Sequence, residues 1–141
     1  LPIGADATAP DNHRRGALEE MVAGETIGQR YLDATGVDLD TPAVFDAAAR
    51  GDAAAQAAID SYARWVAHGV GAVVAVADPA RIVLGGGIGS RPELLPVLTD
   101  WLGRIGFSHV PVAVSSLGER APLLGAVHLA LDTAVRQGVP A

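Results

Sequence analysis

The sequence predicts an α/β fold in which several helices pack on an incomplete sheet, and two observations carry that reading. The first is a short β-branched run, Ile82-Val83-Leu84, that ends abruptly in Gly85-Gly86-Gly87. Helix signals follow at once: Ser90 and Glu93 have the spacing of a capping box, and Pro92 suits a first helical turn. Strand, glycine turn and helix N-terminus form the arrangement by which α/β proteins hold nucleotides and phosphates. Bare backbone lets a ligand come close, and such turns often need positive φ. Taken alone, the same pattern also describes a tight βα turn that holds nothing. The second observation is compositional. The 141 residues suit one domain, and half are apolar while only 4% are aromatic. Such a core must be built mostly from Ala, Val, Leu and Ile, which favours helices packed closely on a sheet.

The elements follow in order. Residues before about Gly16 read as loop. Gly16 to Ala34 reads as one helix, with Leu18, Met21, Val22, Ile27 and Tyr31 roughly on one side and Gly36 as its C-cap. Thr41 is expected to cap a short helix with Pro42 at its first position, Val44, Phe45 and Ala48 inward, and Gly51 at its end. A long helix then spans about Asp52 to Ala77, with Ile59, Tyr62, Val66, Val70, Val73, Val74 and Ala77 at helical spacing. Gly69 and Gly71 lower its helix propensity, so close approach by another element is expected there. Asp78-Pro79 stops it. Beyond the glycines, Leu94, Leu95, Val97, Leu98, Trp101, Leu102 and Ile105 mark a further helix. Val110 to Val114 is the second strand, and Glu119 to Arg136 the last helix, with Leu123, Leu124, Val127, Leu131 and Val135 apolar and Gly138 just past its end. Two strands do not make a stable sheet by themselves. Further strands are expected from another segment or a partner chain. The chain opens at Leu1 without a methionine, which points to a processed product or a fragment.

Charge and composition exclude several function classes. Ten Lys and Arg against sixteen Asp and Glu leave a net charge of −6, which argues against non-specific binding to nucleic acid. The chain has no cysteine, so disulfides and thiolate metal sites are excluded. No apolar run reaches the length of a membrane span and no signal pattern opens the chain, so the cytoplasm is the expected compartment. His68 and His128 fall inside helices and His109 just before a strand, positions that suit packed or surface residues. Arg14-Arg15 reads as a solvated patch, and no Ser/His/Asp or Cys/His arrangement emerges from spacing.

The order Gly16-Ala17-Leu18-Glu19 … Ala23-Gly24, then Val44-Phe45-Asp46-Ala47-Ala48 … Gly51-Asp52, then Asp78-Pro79 … Ile82-Val83-Leu84-Gly85-Gly86-Gly87-Ile88, then Ser116-Leu117-Gly118 … Ala121 … Leu124-Gly125-Ala126 resembles the C-terminal half of the ROK family. These are bacterial sugar kinases and sugar-responsive repressors with the two-lobed actin/hexokinase-like (ribonuclease H-like) ATPase fold. The resemblance covers nearly the whole chain. It implies that residues 1–141 are a C-terminal lobe, with 1–15 a loop at a degenerate zinc segment and 16–141 the helical and nucleotide-binding part.

It also implies roles for particular residues. Glu19 falls on the family's sugar-hydroxyl acceptor and Gly16 on the glycine before it. A carboxylate suits that role because it accepts two hydroxyl hydrogen bonds and fixes the sugar's orientation. Apart from the resemblance, Glu19 and Glu20 are carboxylates in a first helical turn, where they complement the helix dipole. Gly85, Gly86 and Gly87 fall on the adenosine-binding turn. Gly125 and Ala126 fall on a small-residue patch of the last helix, where helix packing is the expected role, and Pro122 stands where the family usually has glycine. The three zinc-binding cysteines of the family correspond to Pro10, Asn12 and Ala17, and His13 replaces a glycine, so no structural zinc is expected. His13 with Asp11 makes only two possible ligands in a loop, so no substitute metal is expected either.

The family's catalytic aspartate, its Asp-x-Gly-x-Thr phosphate turn, a second glycine-rich turn and the Glu-x-Gly-His sugar motif have no counterpart in these 141 residues. The expected function is therefore that of one lobe of an ATP-dependent, Mg²⁺-assisted sugar kinase, glucokinase-like and inactive without its N-terminal lobe. The expected partners are a sugar, a nucleotide, that lobe and a second copy in a homodimer, with no nucleic acid bound directly and no membrane. The alternatives are the sugar-sensing effector domain of a ROK repressor, for which ATP would be irrelevant, and a stand-alone degenerate lobe acting in assembly.

Overall fold

The computed structural model describes residues 8–10, 12 and 16–138. Within the stretch read as loop, Asn12 is helical and its carbonyl accepts the Gly16 N–H at 2.9 Å. The first expected helix is two helices, α1 (Ala17–Val22) and α2 (Thr26–Thr35), broken at Ala23-Gly24-Glu25. Side chains take over the carbonyls freed at the break, as helix ends require. The Thr26 hydroxyl donates to Ala23 O (2.8 Å), Arg30 Nη2 to Met21 O (2.6 Å) and the Thr41 hydroxyl to Gly24 O (2.7 Å). Gly36 closes α2 as expected, at φ +73° with its N–H on Leu32 O.

Helix α3 (Thr41–Ala49) is capped by Asp40 and not by Thr41: the Asp40 carboxylate accepts the Ala43 N–H at 2.8 Å, while Thr41 is spent on Gly24. Helix α4 (Ala53–Ala77) begins within a residue of the expected start, with Asp52 as its cap. Asp52 Oδ1 accepts the N–H groups of Ala54 (2.9 Å) and Ala55 (3.0 Å), and Oδ2 accepts the Tyr31 hydroxyl (2.9 Å), tying α2 to α4. The Ala55 N–H first, then the Tyr31 hydroxyl, hold the Asp52 carboxyl below its ordinary pKa. Because the folded value is depressed, this stabilisation is present above the ordinary carboxylate range and is lost as pH falls through the lowered value. Asp52→Ala is thus expected to lower the melting temperature at pH 7, with the gap to the native chain closing in strong acid. Thermal unfolding followed by circular dichroism across pH checks both.

The two glycines inside α4 have the close neighbours expected of them. A Cβ on Gly69 would stand 2.9 Å from Leu18 Cδ2, and one on Gly71 would stand 2.7 Å from the Phe107 ring. The core lies along α4. Ile27, Tyr31, Val44, Phe45, Ile59, Tyr62 and Leu94 form its larger part, and Ala67, Leu98 and Leu102 a smaller one beneath the sheet.

Strand β1 (Ile82–Leu84) pairs in parallel with β2 (Val112–Val114), with Ile82 opposite Val112 and Leu84 opposite Val114. The second strand is shorter than expected: Val110 is buried outside it, and Pro111 contributes only its carbonyl, which accepts the Ile82 N–H. Between the strands the chain makes a one-turn helix, α5 (Gly86–Gly89), before α6 (Leu94–Arg104). The expected capping box does not form. Ser90 ends α5 with its hydroxyl buried and without a partner among the described residues, and Glu93 precedes α6 without a side-chain cap. Trp101 Nε1 donates to Asp60 Oδ1 (2.9 Å), binding α6 to α4.

A short 3₁₀ turn (Gly118–Arg120) leads into α7 (Ala121–Arg136), which therefore starts later than expected. Its apolar row is not covered: Leu123, Leu124, Val127, Leu131 and Val135 are all exposed, and so is Val83 on β1. The described sheet has two strands, and no described helix is long and apolar enough to cross a membrane.

A bare glycine turn beside a groove as the candidate functional site

Strand β1 delivers the chain to its glycines at the surface. Gly85 is extended, Gly86 takes φ +79°, and Gly85, Gly86 and Gly87 are exposed. The turn is closed by the Ser90 N–H on Gly86 O (3.0 Å) and the Arg91 N–H on Ile88 O (2.9 Å). Only part of this glycine usage has a reason within the chain. Gly86 needs its positive φ, but a Cβ on Gly86 or Gly87 would meet nothing within 4 Å, and one on Gly85 only Ser115 at ordinary contact distance. At Gly87 neither conformation nor packing demands glycine. The turn is smoother than its own fold requires.

A groove of about 640 Å³ runs along this turn, within the size range of small-molecule sites. Gly87, Ile88 and Arg91 form one side; Gly24, Glu25 and Gln29 from the α1–α2 break, with Asp38 to Pro42 from the segment before α3, form the other. Its polar groups are unevenly committed. Asp40 caps α3, and the Gln29 amide donates to Asp33 Oδ1 (2.7 Å). Arg91 lies over the Phe45 ring, its guanidinium carbon 4.6 Å from the centroid. Sequence reasoning singled out the turn but none of the opposite wall, and it used Ser90 and Glu93 while passing over Arg91 between them.

Glu19 occupies the first turn of α1 and is exposed. Gly16, at φ +102°, caps that helix, and a Cβ there would overlap the Glu19 carboxylate, so the glycine leaves Glu19 room. Glu19 is not among the residues that line the groove, and of the three glycines only Gly87 is. Gly125 and Ala126 are exposed on α7, with nothing within 4 Å of a Cβ on Gly125. The helix packing expected of them has no partner among the described residues. Pro122 sits in the first turn of α7, where its missing N–H costs nothing.

The histidines stay outside the site. His68 is half-buried with its ring 5.6 Å from that of Trp65, His109 is exposed beside Phe107, and His128 is exposed on α7. Asp11, His13, Arg14 and Arg15 lie outside the described residues. Pro10 and Ala17 carry no side-chain donor and Ala17 is buried, so the three zinc positions do not fit that metal. The described residues contain no cluster of three or more His, Cys, Asp or Glu side chains suited to a metal ion.

Comparison with known proteins places this geometry. The model of the ROK family matches residues 13–133. The beta-glucoside kinase of Klebsiella pneumoniae is 30% identical over 118 residues, which cover 82% of this chain and 39% of that protein. Among solved structures, the ROK hexokinase from Thermus thermophilus shares 30% identity at a TM-score of 0.67, over 79% of this chain and 39% of its own. The ROK family glucokinase from Streptomyces griseus, solved in complex with glucose and AMPPNP, shares 25% at 0.69, over 81% of this chain and 44% of its own. The chain thus spans about two-fifths of the length of these relatives. Its helices and small parallel sheet match part of a hexokinase-like fold, as the sequence led us to expect. With 121 of its 141 residues under one family model (13 to 133 inclusive), the chain belongs to the ROK family.

Proposed function

We propose that this chain is the C-terminal, nucleotide- and sugar-contacting lobe of an ATP-dependent ROK sugar kinase working in the cytoplasm. The observation that carries the reading is the bare turn: Gly87 is glycine with no demand from backbone or packing, and a ligand-sized groove runs beside it. A nucleotide lying against Gly85, Gly86 and Gly87 supplies the missing reason. The complex of the Streptomyces griseus relative with glucose and AMPPNP supports the pairing of sugar and nucleotide.

In this reading Glu19 accepts hydrogen bonds from two sugar hydroxyls and so sets which hydroxyl faces the nucleotide. Mg²⁺ arriving with ATP neutralises charge on the phosphates. In this reading sugar and nucleotide meet when a second lobe closes over both and excludes water. That lobe would also supply strands beside β1 and cover for Val83 and the apolar row of α7. A second copy in a homodimer is the other partner we propose.

The test is phosphoryl transfer from ATP to a panel of hexoses by the protein that carries this chain. Turnover is expected with at least one hexose. Glu19→Gln is expected to raise the KM for that sugar roughly tenfold or more, since it removes a charged acceptor, while leaving the KM for ATP in place. Saturable sugar binding that is indifferent to ATP, with no turnover, would instead favour a sugar-sensing repressor domain.

A further inference from the structure

Arg91 has a stacking contact within the chain but no ion pair among the described residues. It follows the glycine turn, lines the groove opposite Asp38 and Gln29, and is half-buried. Its guanidinium lies 4.6 Å above the ring of Phe45, a residue only 3% exposed. Phe45 is part of the core and does not reach the groove, so it forms a fixed ledge on one side of Arg91. No ion pair engages Arg91 among the described residues, although carboxylates stand across the groove. A guanidinium held by an aromatic ring on one side and unpaired has lost much of its rotamer freedom in advance. It presents a flat, weakly hydrated, cationic surface.

We infer that Arg91 is a base-stacking residue: its guanidinium, backed by Phe45, carries the nucleobase of the nucleotide in the groove. The inference rests on the nucleotide reading given above and adds to it the direction in which the ligand lies. The charge of the groove fixes that direction. Asp38 and Asp40 line the opposite wall, where a polyphosphate would be repelled but an uncharged base and ribose would not. The nucleoside therefore fills the groove, and the phosphates leave across Gly85 and Gly86, away from the acidic wall. A cation stacked on a π-face suits every base, so Arg91 supplies affinity for the nucleoside while leaving the choice among bases to the hydrogen-bonding groups opposite.

The test displaces a ribose-labelled fluorescent ADP from the native protein with ADP, adenosine and tripolyphosphate, and repeats this with Arg91→Met and Arg91→Lys. Met keeps the aliphatic stem over Phe45, and Lys keeps the charge without the plane. Both variants are expected to weaken ADP and adenosine alike, by about tenfold, and to leave tripolyphosphate unchanged. Melting temperatures measured in parallel register any loss of fold, which would weaken all three ligands together and not the nucleoside alone. A loss confined to ADP and tripolyphosphate would make Arg91 a phosphate contact and overturn the inference. So would a Lys variant that binds like the native protein, or no loss in either variant. Failure of the native protein to bind the labelled ADP would overturn the nucleotide reading beneath it, and is distinguishable because it needs no variant.

Discussion

Leu98→Ala is expected to lower the free energy of unfolding by about 2–5 kcal/mol, a large part of what a domain of this size has to lose. Leu98 is fully buried on α6, between Leu94 and Leu102 on the same helix face, and it joins α4 to the underside of the sheet. Its buried partner across that contact is Ala67, whose side chain is too short to move into the space left behind. Of the remaining neighbours, Leu84 and Val112 are anchored in the two strands and Trp101 is held to Asp60 on α4, so they can relax only in part. Leu98→Met keeps most of the volume and is expected to cost less than about 1.5 kcal/mol. Urea unfolding followed by tryptophan fluorescence checks the pair, since Trp101 borders the cavity. Equal effects from Ala and Met would mean that the α4–α6 contact is not packed as described.

Gly87→Val is expected to leave the melting temperature almost unchanged and to weaken nucleotide binding by roughly tenfold or more. The two halves of this prediction have separate causes. A Cβ at position 87 meets no atom within 4 Å and its φ lies outside the left-handed region, so the backbone accepts a side chain there. The same isopropyl group projects from the wall of the groove and would keep a ligand off the backbone, which removes the close contact that makes a glycine turn useful. Gly86 provides the contrast. At φ +79° any side chain is strained by roughly 1–2 kcal/mol, so Gly86→Ala should lose stability even without ligand. Titration of AMPPNP against both variants, with melting curves, separates a residue kept for the fold from one kept for the ligand. Native affinity in Gly87→Val would sink the reading of this turn as a nucleotide site.

The features legible in the amino-acid order are those that a few neighbouring residues settle among themselves. The Gly36 C-cap, the start of α4 near Asp52 and the stop at Asp78-Pro79 depend on contacts within a turn or so of chain, whereas Ile82–Leu84 and Val110–Val114 were legible only as separate strands, since their parallel pairing joins residues 30 positions apart. Periodicity likewise marked the buried face of α6 and most of that of α4, where Val73 and Ala77 are exposed, and two glycines inside α4 announced close neighbours without saying which. The ROK pattern itself is legible for the same reason, since it is a matter of order and spacing. It pointed to Gly85 to Gly87 before any geometry was known.

Two of the failed expectations trace to a residue outside the local pattern. The first helix breaks at Ala23-Gly24-Glu25 because Arg30 and Thr41 reach back to the carbonyls there, and the bond from Thr41 spans 17 residues. That bond also takes Thr41 out of the cap position and leaves it to Asp40. The capping box at Ser90 and Glu93 fails because the chain spends those residues on α5 and its exit, burying the Ser90 hydroxyl instead of offering it to α6. On α7 the sequence marked an apolar row and the structure leaves it exposed, because amphipathic spacing says only that a face is apolar, never what lies against it. The groove shows the same division most clearly. The side at Gly87, Ile88 and Arg91 is written in one short stretch, yet its other wall comes from residues near 24–29 and 38–42, more than forty positions away. Local order carries helices, caps and the turn because their energies are short-range. The site is a product of folding because only packing brings Arg91, Phe45 and that far wall to the turn.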